Sequence, residues 1–213
     1  RMGHLLGVVD QERLDEQRGV VQNEKRQGEN QPYGRVYNVA FEGIFPPEHP
    51  YSWPTIGSME DLNAASLEDV REWFSEYYGA ANAVIVVAGD VDTQHVKARV
   101  QHYFGHIPAG PALTRQTEWI PDLRGIHRQV MQDRVPQARL YKFWVMPGFG
   151  RLDATRLDLV AGVLSEGKTS RLYKRLVHEE QIASDVRAFA FPLEIVGVFG
   201  VQATAMPGID LAD

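Results

Sequence analysis

The chain has 213 residues, 44% of them hydrophobic, and no cysteine. This is enough for one large or two small domains, and it excludes disulfides and thiolate metal sites. The formal net charge of −6 gives no basic surface for nucleic acid, and no apolar run approaches the roughly 20 residues that span a bilayer. Any bound metal must therefore be held by His, Asp or Glu.

Helical spacing dominates the first half of the sequence. Ser66, with Asp69 three residues later, predicts a capped helix start, and Asp92 predicts another. The apolar run Asn82–Gly89 is bounded by turn residues, which favours a buried strand. We predict helices over 11–27, 35–45, 66–78 and 92–104, and a strand over 82–89.

Residues 106–126 differ in character, because several prolines and glycines lie among polar residues, and they form the best linker candidate. Beyond this linker the spacing alternates between strand and helix types. We predict strands over 127–132, 139–146, 185–192 and 196–204, and helices over 152–164 and 170–177. The fold class is therefore α+β, with mixed or antiparallel sheets, packed helices and a division near residue 120.

One acidic residue, Glu24, lies on the most informative helix. On a helix, four residues share a face at i, i+3, i+4 and i+7: Gln17, Val20, Val21 and Glu24. A carboxylate at the end of an apolar stripe is desolvated unless it is paired or binds a metal. The alternative is an ordinary solvated acid beside basic neighbours, and helix position alone favours that alternative.

Several motifs follow one another along the chain: Arg18-x-Val20-Val21-x-x-Glu24-Lys25-Arg26, Pro32-Tyr33-Gly34, His49-Pro50-Tyr51, Ser66–Val70, Tyr77-Tyr78, Asn82–Val91, Gly167–Tyr173 and Glu180–Ala183. In this order they resemble the pitrilysin/insulinase type (M16 family) of zinc metallopeptidases, over nearly the whole chain. The resemblance implies a metallopeptidase fold of the LuxS and mitochondrial-processing-peptidase type, within a two-domain repeat.

In that family an inverted motif, His-x-x-Glu-His, supplies two zinc ligands and the general base, and a glutamate on a later helix is the third ligand. The resemblance implies that Glu24 is this third ligand. The inverted motif is absent here, and its nearest likeness, His178-Glu179-Glu180, lacks the second histidine. We therefore expect the motif upstream of Arg1 in a longer parent protein, and we assign no catalytic residue to this chain.

Three positions depart from the family pattern. Many relatives carry a second glutamate seven residues before the ligand, where this chain has Gln17, with Glu16 one position earlier. The arginine and tyrosine that assist the substrate carbonyl in the family's catalytic second half are Val177 and Ser184 here. The resemblance thus implies that residues 1–120 are the C-terminal part of a zinc-bearing domain. Residues 121–213 are then the first part of a second, non-catalytic homologous domain.

The function implied by the resemblance is that of a zinc-dependent metalloendopeptidase acting on peptides or unfolded protein segments. Its partners would be that substrate and a second homologous half or paired subunit, with neither nucleic acid nor a membrane span. The chain alone would be inactive and would not hold zinc tightly, since one carboxylate is no metal site. The alternative is a non-catalytic scaffold or chamber-forming member of the family. The resemblance is compatible with the bacterial periplasm and with the cytoplasm.

Three other patterns suggest chemistry and are set aside. Gly162–Thr169 fits the phosphate-loop pattern, but it follows a helical rather than a strand-like segment. His102 and His106 could share a helix face as a metal pair, yet Gly105 indicates that the helix ends between them. An aromatic set at helical spacing is interpreted as core: Trp73, Phe74, Tyr77 and Tyr78.

Overall fold

The computed structural model describes residues 9–211. The expectation of a zinc motif upstream of Arg1 lies outside these residues. The chain forms two compact units. The first unit contains residues up to Arg26 together with Ile56–Arg115, and the second contains Gln27–Thr55 together with the residues from Gln116 onward.

Helices precede an antiparallel sheet along the chain, as in an α+β protein, which confirms the predicted fold class. They are α1 (Gln11–Glu29), α2 (Val36–Ile44), α3 (Met59–Ala64), α4 (Leu67–Tyr77), a 3-10 turn (Ala80–Asn82), α5 (Thr93–Phe104), β1 (Arg139–Met146), α6 (Leu152–Ser165), a π-helical segment (Tyr173–Glu179), β2 (Ala183–Pro192) and β3 (Gly197–Ala205). Across residues 9–211, no helix combines the length and the apolar character needed to cross a membrane.

The helix starts of the first unit follow the predicted capping residues. At α4, the Ser66 hydroxyl accepts a hydrogen bond from the Asp69 backbone N–H at 3.2 Å, and the Asp69 carboxylate accepts one from the Ser66 N–H at 2.7 Å. The Ser66 hydroxyl also donates to the Asp69 carboxylate at 2.7 Å, and this hydrogen bond, together with the one from the Ser66 backbone N–H, lowers the pKa of Asp69. At α5, Asp92 accepts the His95 N–H at 2.6 Å. Each cap satisfies amide groups that have no partner inside the helix.

The predicted strand over 82–89 is wrong. Residues 80–82 form the 3-10 turn and residues 83–88 have no regular structure. Val84 is 89% exposed and Val86 83% exposed. A strand needs a neighbour for its backbone N–H and C=O groups, and the described part of the first unit contains no other strand. The apolar run therefore remains on the surface.

Two further expectations fail for similar reasons. Residues 127–132 form no strand, and Val130 is 93% exposed. The aromatic set of α4 is not a core, because α4 has no buried residue and Trp73 is 57% exposed. The Trp73 and Tyr77 rings instead lie against each other on the surface, with centroids 4.2 Å apart. Helical spacing identified this face, but within residues 9–211 no apolar neighbour buries it.

The second unit is built on an antiparallel sheet with strand order β1-β3-β2, and its strands match the predicted ranges within two residues. Helix α2 covers one face, where the Tyr37 ring meets Tyr141, Phe143 and Phe189 at 6.1–6.5 Å. Burial is the main cause of a raised Tyr37 pKa. The Phe189 ring lies over Gly200 of β3, where an added Cβ would come within 2.3 Å of the ring. Only glycine leaves room for this aromatic contact.

The phosphate-loop pattern has no phosphate-loop structure. Gly162 lies inside α6, and Gly167 forms the turn after it with a φ of 76°. A phosphate loop must connect a strand to a helix, whereas this segment connects α6 to a second helical segment. The segment around Lys168 is therefore not a phosphate loop.

His49 is a fully buried polar residue of the second unit. Its Nδ1 accepts the Tyr51 backbone N–H at 3.0 Å, and its Nε2 lies 3.1 Å from the Trp119 carbonyl oxygen. Since a carbonyl only accepts, Nε2 carries the proton. The imidazole also stacks on Phe45 of the core cluster, with ring centroids 4.5 Å apart. His49 therefore joins the loop after α2 to the segment at residue 119.

We predict that His49→Ala lowers the free energy of unfolding of the second unit by about 3 kcal/mol, because it removes a buried ring and leaves two backbone groups unpaired. Urea unfolding followed by tryptophan fluorescence would measure this loss. The matched control is His127→Ala, since His127 is an exposed histidine of the same unit. Its change should stay within about 0.5 kcal/mol. Equal losses in both variants would contradict the role of His49.

Candidate functional site

Helix α1 presents two different faces. The inward face is formed by Leu14, Arg18, Val21, Gln22 and Lys25, which are buried or half-buried. Glu24 is exposed, and Val20 on the same side is 52% exposed. The desolvated apolar stripe expected around Glu24 is therefore not formed by the described residues. The inward face lies about one residue further along the helix, and it is largely polar.

The inward face is held by hydrogen bonds to the segment at the end of α3. The Arg18 guanidinium donates to the backbone carbonyls of Leu62, of Asn63 at 3.2 Å and of Ala65 at 2.8 Å. Gln22 Nε2 donates to the Asn63 side-chain oxygen at 2.7 Å. Carbonyls at a helix C-terminus lack partners within the helix, and a cation there is also favoured by the helix dipole. These contacts fix which side of α1 faces outward.

The Glu24 carboxylate makes no hydrogen bond or ion pair with any other residue between 9 and 211. The neighbouring Arg26 donates instead to the Asn23 side-chain oxygen at 2.9 Å. A carboxylate with no internal partner keeps its oxygen lone pairs available for an external ligand, and zinc accepts carboxylate oxygen as a ligand. By its chemistry, Glu24 fits the part of one zinc ligand.

The described residues do not form a metal site by themselves. Across residues 9–211, no three His, Cys, Asp or Glu side chains lie close enough together to hold an ion. His102 lies in the last turn of α5 with its ring against Tyr103, and His106 follows the end of that helix. Since catalytic zinc needs three protein ligands, the described part of the chain does not supply a complete set.

The other acids singled out from the sequence have different surroundings. Glu16 is exposed on α1. In the π-helical segment and just after it, Glu179 pairs with Lys174 at 3.6 Å and Glu180 pairs with Arg175 at 2.7 Å. Their carboxylates are engaged in surface ion pairs, which are worth little in stability. The His178-Glu179-Glu180 likeness to a zinc motif is thus an ordinary charged segment.

The positions that correspond to the family's assisting arginine and tyrosine lie in the second unit. Val177 is in the π-helical segment, and Ser184 is in β2, where its hydroxyl donates to the Thr204 carbonyl at 3.3 Å. A valine carries no donor, and the serine hydroxyl is used within the sheet. Neither side chain offers a group for a substrate carbonyl.

The anchoring role of Arg18 was not predicted from the sequence. Arg18 stood out only as a part of the family motif, and the backbone carbonyls that it contacts lie more than 40 residues away in the sequence. The only signal in the sequence was that an arginine occupies a polar position of the predicted helix. An arginine fork can satisfy several carbonyls at once, whereas periodicity alone does not indicate which segment supplies them.

Comparison with known proteins identifies the family. The Peptidase M16 inactive domain matches residues 64–213, which is more than half of the chain. The zinc protease PqqE of Helicobacter pylori is 28% identical over 207 residues, covering 96% of this chain and 46% of that protein. The chain therefore belongs to the peptidase M16 family.

Solved structures agree with this assignment. A protease from Helicobacter pylori superposes with a TM-score of 0.82 at 29% identity, over 94% of this chain and 49% of that one. A peptidase M16 inactive domain from Pseudomonas fluorescens gives 0.79 at 16% identity, over 93% of this chain and 48% of that one, and at this identity it shows the fold alone. The chain spans about half the length of the curated relatives that it matches.

We predict that Glu24→Gln changes the free energy of unfolding of the isolated chain by less than about 0.5 kcal/mol, because the carboxylate is exposed and has no partner among residues 9–211. Arg18→Ala should cost about 2 kcal/mol, since it leaves backbone carbonyls of the α3 end unsatisfied. Thermal and urea unfolding of both variants would measure the contrast. A loss above 1 kcal/mol for Glu24→Gln would mean that the carboxylate is engaged within the chain.

Proposed function

We propose that this chain is part of a zinc-dependent metalloendopeptidase that hydrolyses peptides or unfolded protein segments, and that Glu24 is one of its zinc ligands. The observation that carries the proposal is the state of Glu24. It is an exposed carboxylate without a partner among the described residues, on a helix whose opposite face is anchored. The relatives of the chain are called zinc proteases, which supports the choice of metal.

In this proposal the remaining ligands and the general base come from a His-x-x-Glu-His motif elsewhere in the parent protein. When bound, zinc would act as a Lewis acid toward the scissile carbonyl. Glu24 would contribute one oxygen and one negative charge, and α1 would hold that oxygen in a fixed direction. The isolated chain would then be inactive, because its described part supplies a single ligand.

We further propose that the two parts of the chain play different roles. Residues 1–120 would complete a zinc-bearing domain, and residues 121–213 would begin a second, non-catalytic homologous domain. The segment between α5 and β1 supports a boundary there, because it contains no helix or strand. Val177 and Ser184 support the non-catalytic role, since neither can assist a substrate carbonyl.

The substrate would be an extended peptide that adds a strand to a sheet edge. A second homologous half or a paired subunit would wall the chamber.

A second candidate function is a non-catalytic, chamber-forming member of the same family. The specific observation in its favour is that the matching family description is an inactive domain and covers residues 64–213. Such a protein would keep the fold and lose zinc. The upstream sequence of the parent separates the two candidates, because an intact His-x-x-Glu-His motif favours the enzyme.

We predict that the parent protein binds about one zinc ion per chain and that Glu24→Gln removes it, because a neutral amide is a poor replacement for a carboxylate ligand. Atomic absorption after dialysis would measure the zinc content, and cleavage of an unfolded protein would measure the activity. The matched control is Glu16→Gln on the same exposed side of α1, which should keep both. Zinc-free wild-type protein would favour the scaffold function. Full zinc content in the Glu24→Gln variant would contradict the assignment of Glu24 as a zinc ligand.

A further inference from the structure

We propose that Arg18 is a positioning residue for the metal ligand Glu24, and that it acts by fixing the rotation of α1 about its own axis. This inference rests on the proposed function, because it concerns the zinc that Glu24 would bind. It adds a residue that makes no contact with metal or substrate. The role follows from the hydrogen bonds of Arg18 and from the geometry of the helix that carries both residues.

Arg18 is strongly anchored. Its guanidinium donates to three backbone carbonyls at the C-terminal end of α3, those of Leu62, Asn63 and Ala65. Its side chain is only 16% exposed, and it also lies 3.4 Å from the Asp15 carboxylate on its own helix. A planar guanidinium that donates to several fixed carbonyls cannot rotate or shift without losing hydrogen bonds. These bonds therefore fix both the position and the orientation of the Arg18 side chain.

A second contact acts on the same side of the helix. Gln22 Nε2 donates to Asn63 Oδ1 at 2.7 Å. With 3.6 residues per turn, Arg18 and Gln22 differ by about 40° around the axis, whereas Glu24 lies about 120° from Arg18 and about 160° from Gln22. The two anchors therefore share one face and Glu24 is on another. Their hydrogen bonds set the direction in which Glu24 points without occupying its oxygens.

The precision that zinc requires makes this anchoring important. Helix side chains reach about 5–6 Å from the axis, so a rotation of about 10° moves a carboxylate by about 1 Å. Productive metal and catalytic geometries are held within about 0.5 Å. An exposed glutamate on a loosely held helix would not meet this tolerance. The inward face of helix α1 is only weakly apolar, so hydrophobic packing does not fix the rotation of the helix. The polar contacts of Arg18 and Gln22 fix it instead.

Arg18→Lys is the informative substitution. Lysine keeps the positive charge near the α3 C-terminus but replaces the fork with a single ammonium group, which cannot span the same three carbonyls. We expect the zinc affinity of the full-length parent protein to fall by about 10–100-fold, the range found for residues that orient metal ligands. Competition with a chromophoric chelator would measure the affinity. The melting temperature of the zinc-free protein would be measured in parallel.

The matched control is Arg26→Lys, because Arg26 is on the same helix and its guanidinium donates to Asn23 within α1. Its zinc affinity should stay within about threefold of wild type. If Arg18→Lys fails to fold, Gln22→Ala removes a single anchor at lower cost and should weaken zinc binding by about three- to tenfold. Gln22→Ala is therefore sufficient to test the inference.

The outcomes separate the two proposals. Weaker zinc binding in the Arg18 or Gln22 variant, with unchanged binding in Arg26→Lys, supports the positioning role. A lower melting temperature of the zinc-free protein with unchanged zinc affinity means that Arg18 is only structural, and it overturns the inference while leaving Glu24 as a ligand. Zinc-free wild-type protein would overturn the proposed function and this inference together.

Discussion

Backbone carbonyl and amide groups withdrawn from water must find hydrogen-bond partners, and this requirement organises both units of the protein. In the first unit the carbonyls at the end of α3 are satisfied by Arg18, which belongs to another helix. In the second unit β3 has a neighbour on each side, and His49 satisfies an amide and a carbonyl in the loops. Where residues 9–211 offer no neighbouring strand, as for residues 83–88, the chain has no regular structure.

The same requirement links the fold to the candidate site. Because α1 is held by polar contacts on one face, its other face can remain exposed without loss of orientation. Glu24 lies on that exposed face, and none of its oxygens is used by residues 9–211. A helix held by apolar packing alone could slide or rotate with less penalty, since hydrophobic contacts are not directional. Directional hydrogen bonds would suit a helix that presents a metal ligand, the role we propose for α1.

Local signals in the sequence were sufficient for most elements. Ser66, Asp69 and Asp92 predicted the starts of α4 and α5, because capping depends on residues within one helical turn. The strands β1, β2 and β3 followed from alternation, and the family resemblance was confirmed by the comparisons. The segments 82–89 and 127–132 failed because a strand is defined by its neighbours, which its own sequence does not specify.

The candidate site was predictable in part. Glu24 was singled out by the motif around it, and its role as a zinc ligand stays a prediction, whereas the apolar stripe expected beside it was wrong. Val20 suggested an apolar stripe, whereas the inward face follows Arg18 and Gln22, whose partners near Asn63 are distant in the sequence. Polar anchors of this kind leave no hydrophobic periodicity, so a pattern based on apolar spacing does not detect them.

The central claim is that Glu24 binds zinc in the parent protein, and diffraction at the zinc absorption edge tests it most directly. Crystals of the full-length protein would be measured above and below the edge, which locates zinc independently of any assumption about its ligands. We expect one anomalous peak, with a Glu24 carboxylate oxygen at about 2.0–2.2 Å from it. A zinc peak that lies away from Glu24 would contradict the claim, and so would the absence of any peak in zinc-supplemented crystals.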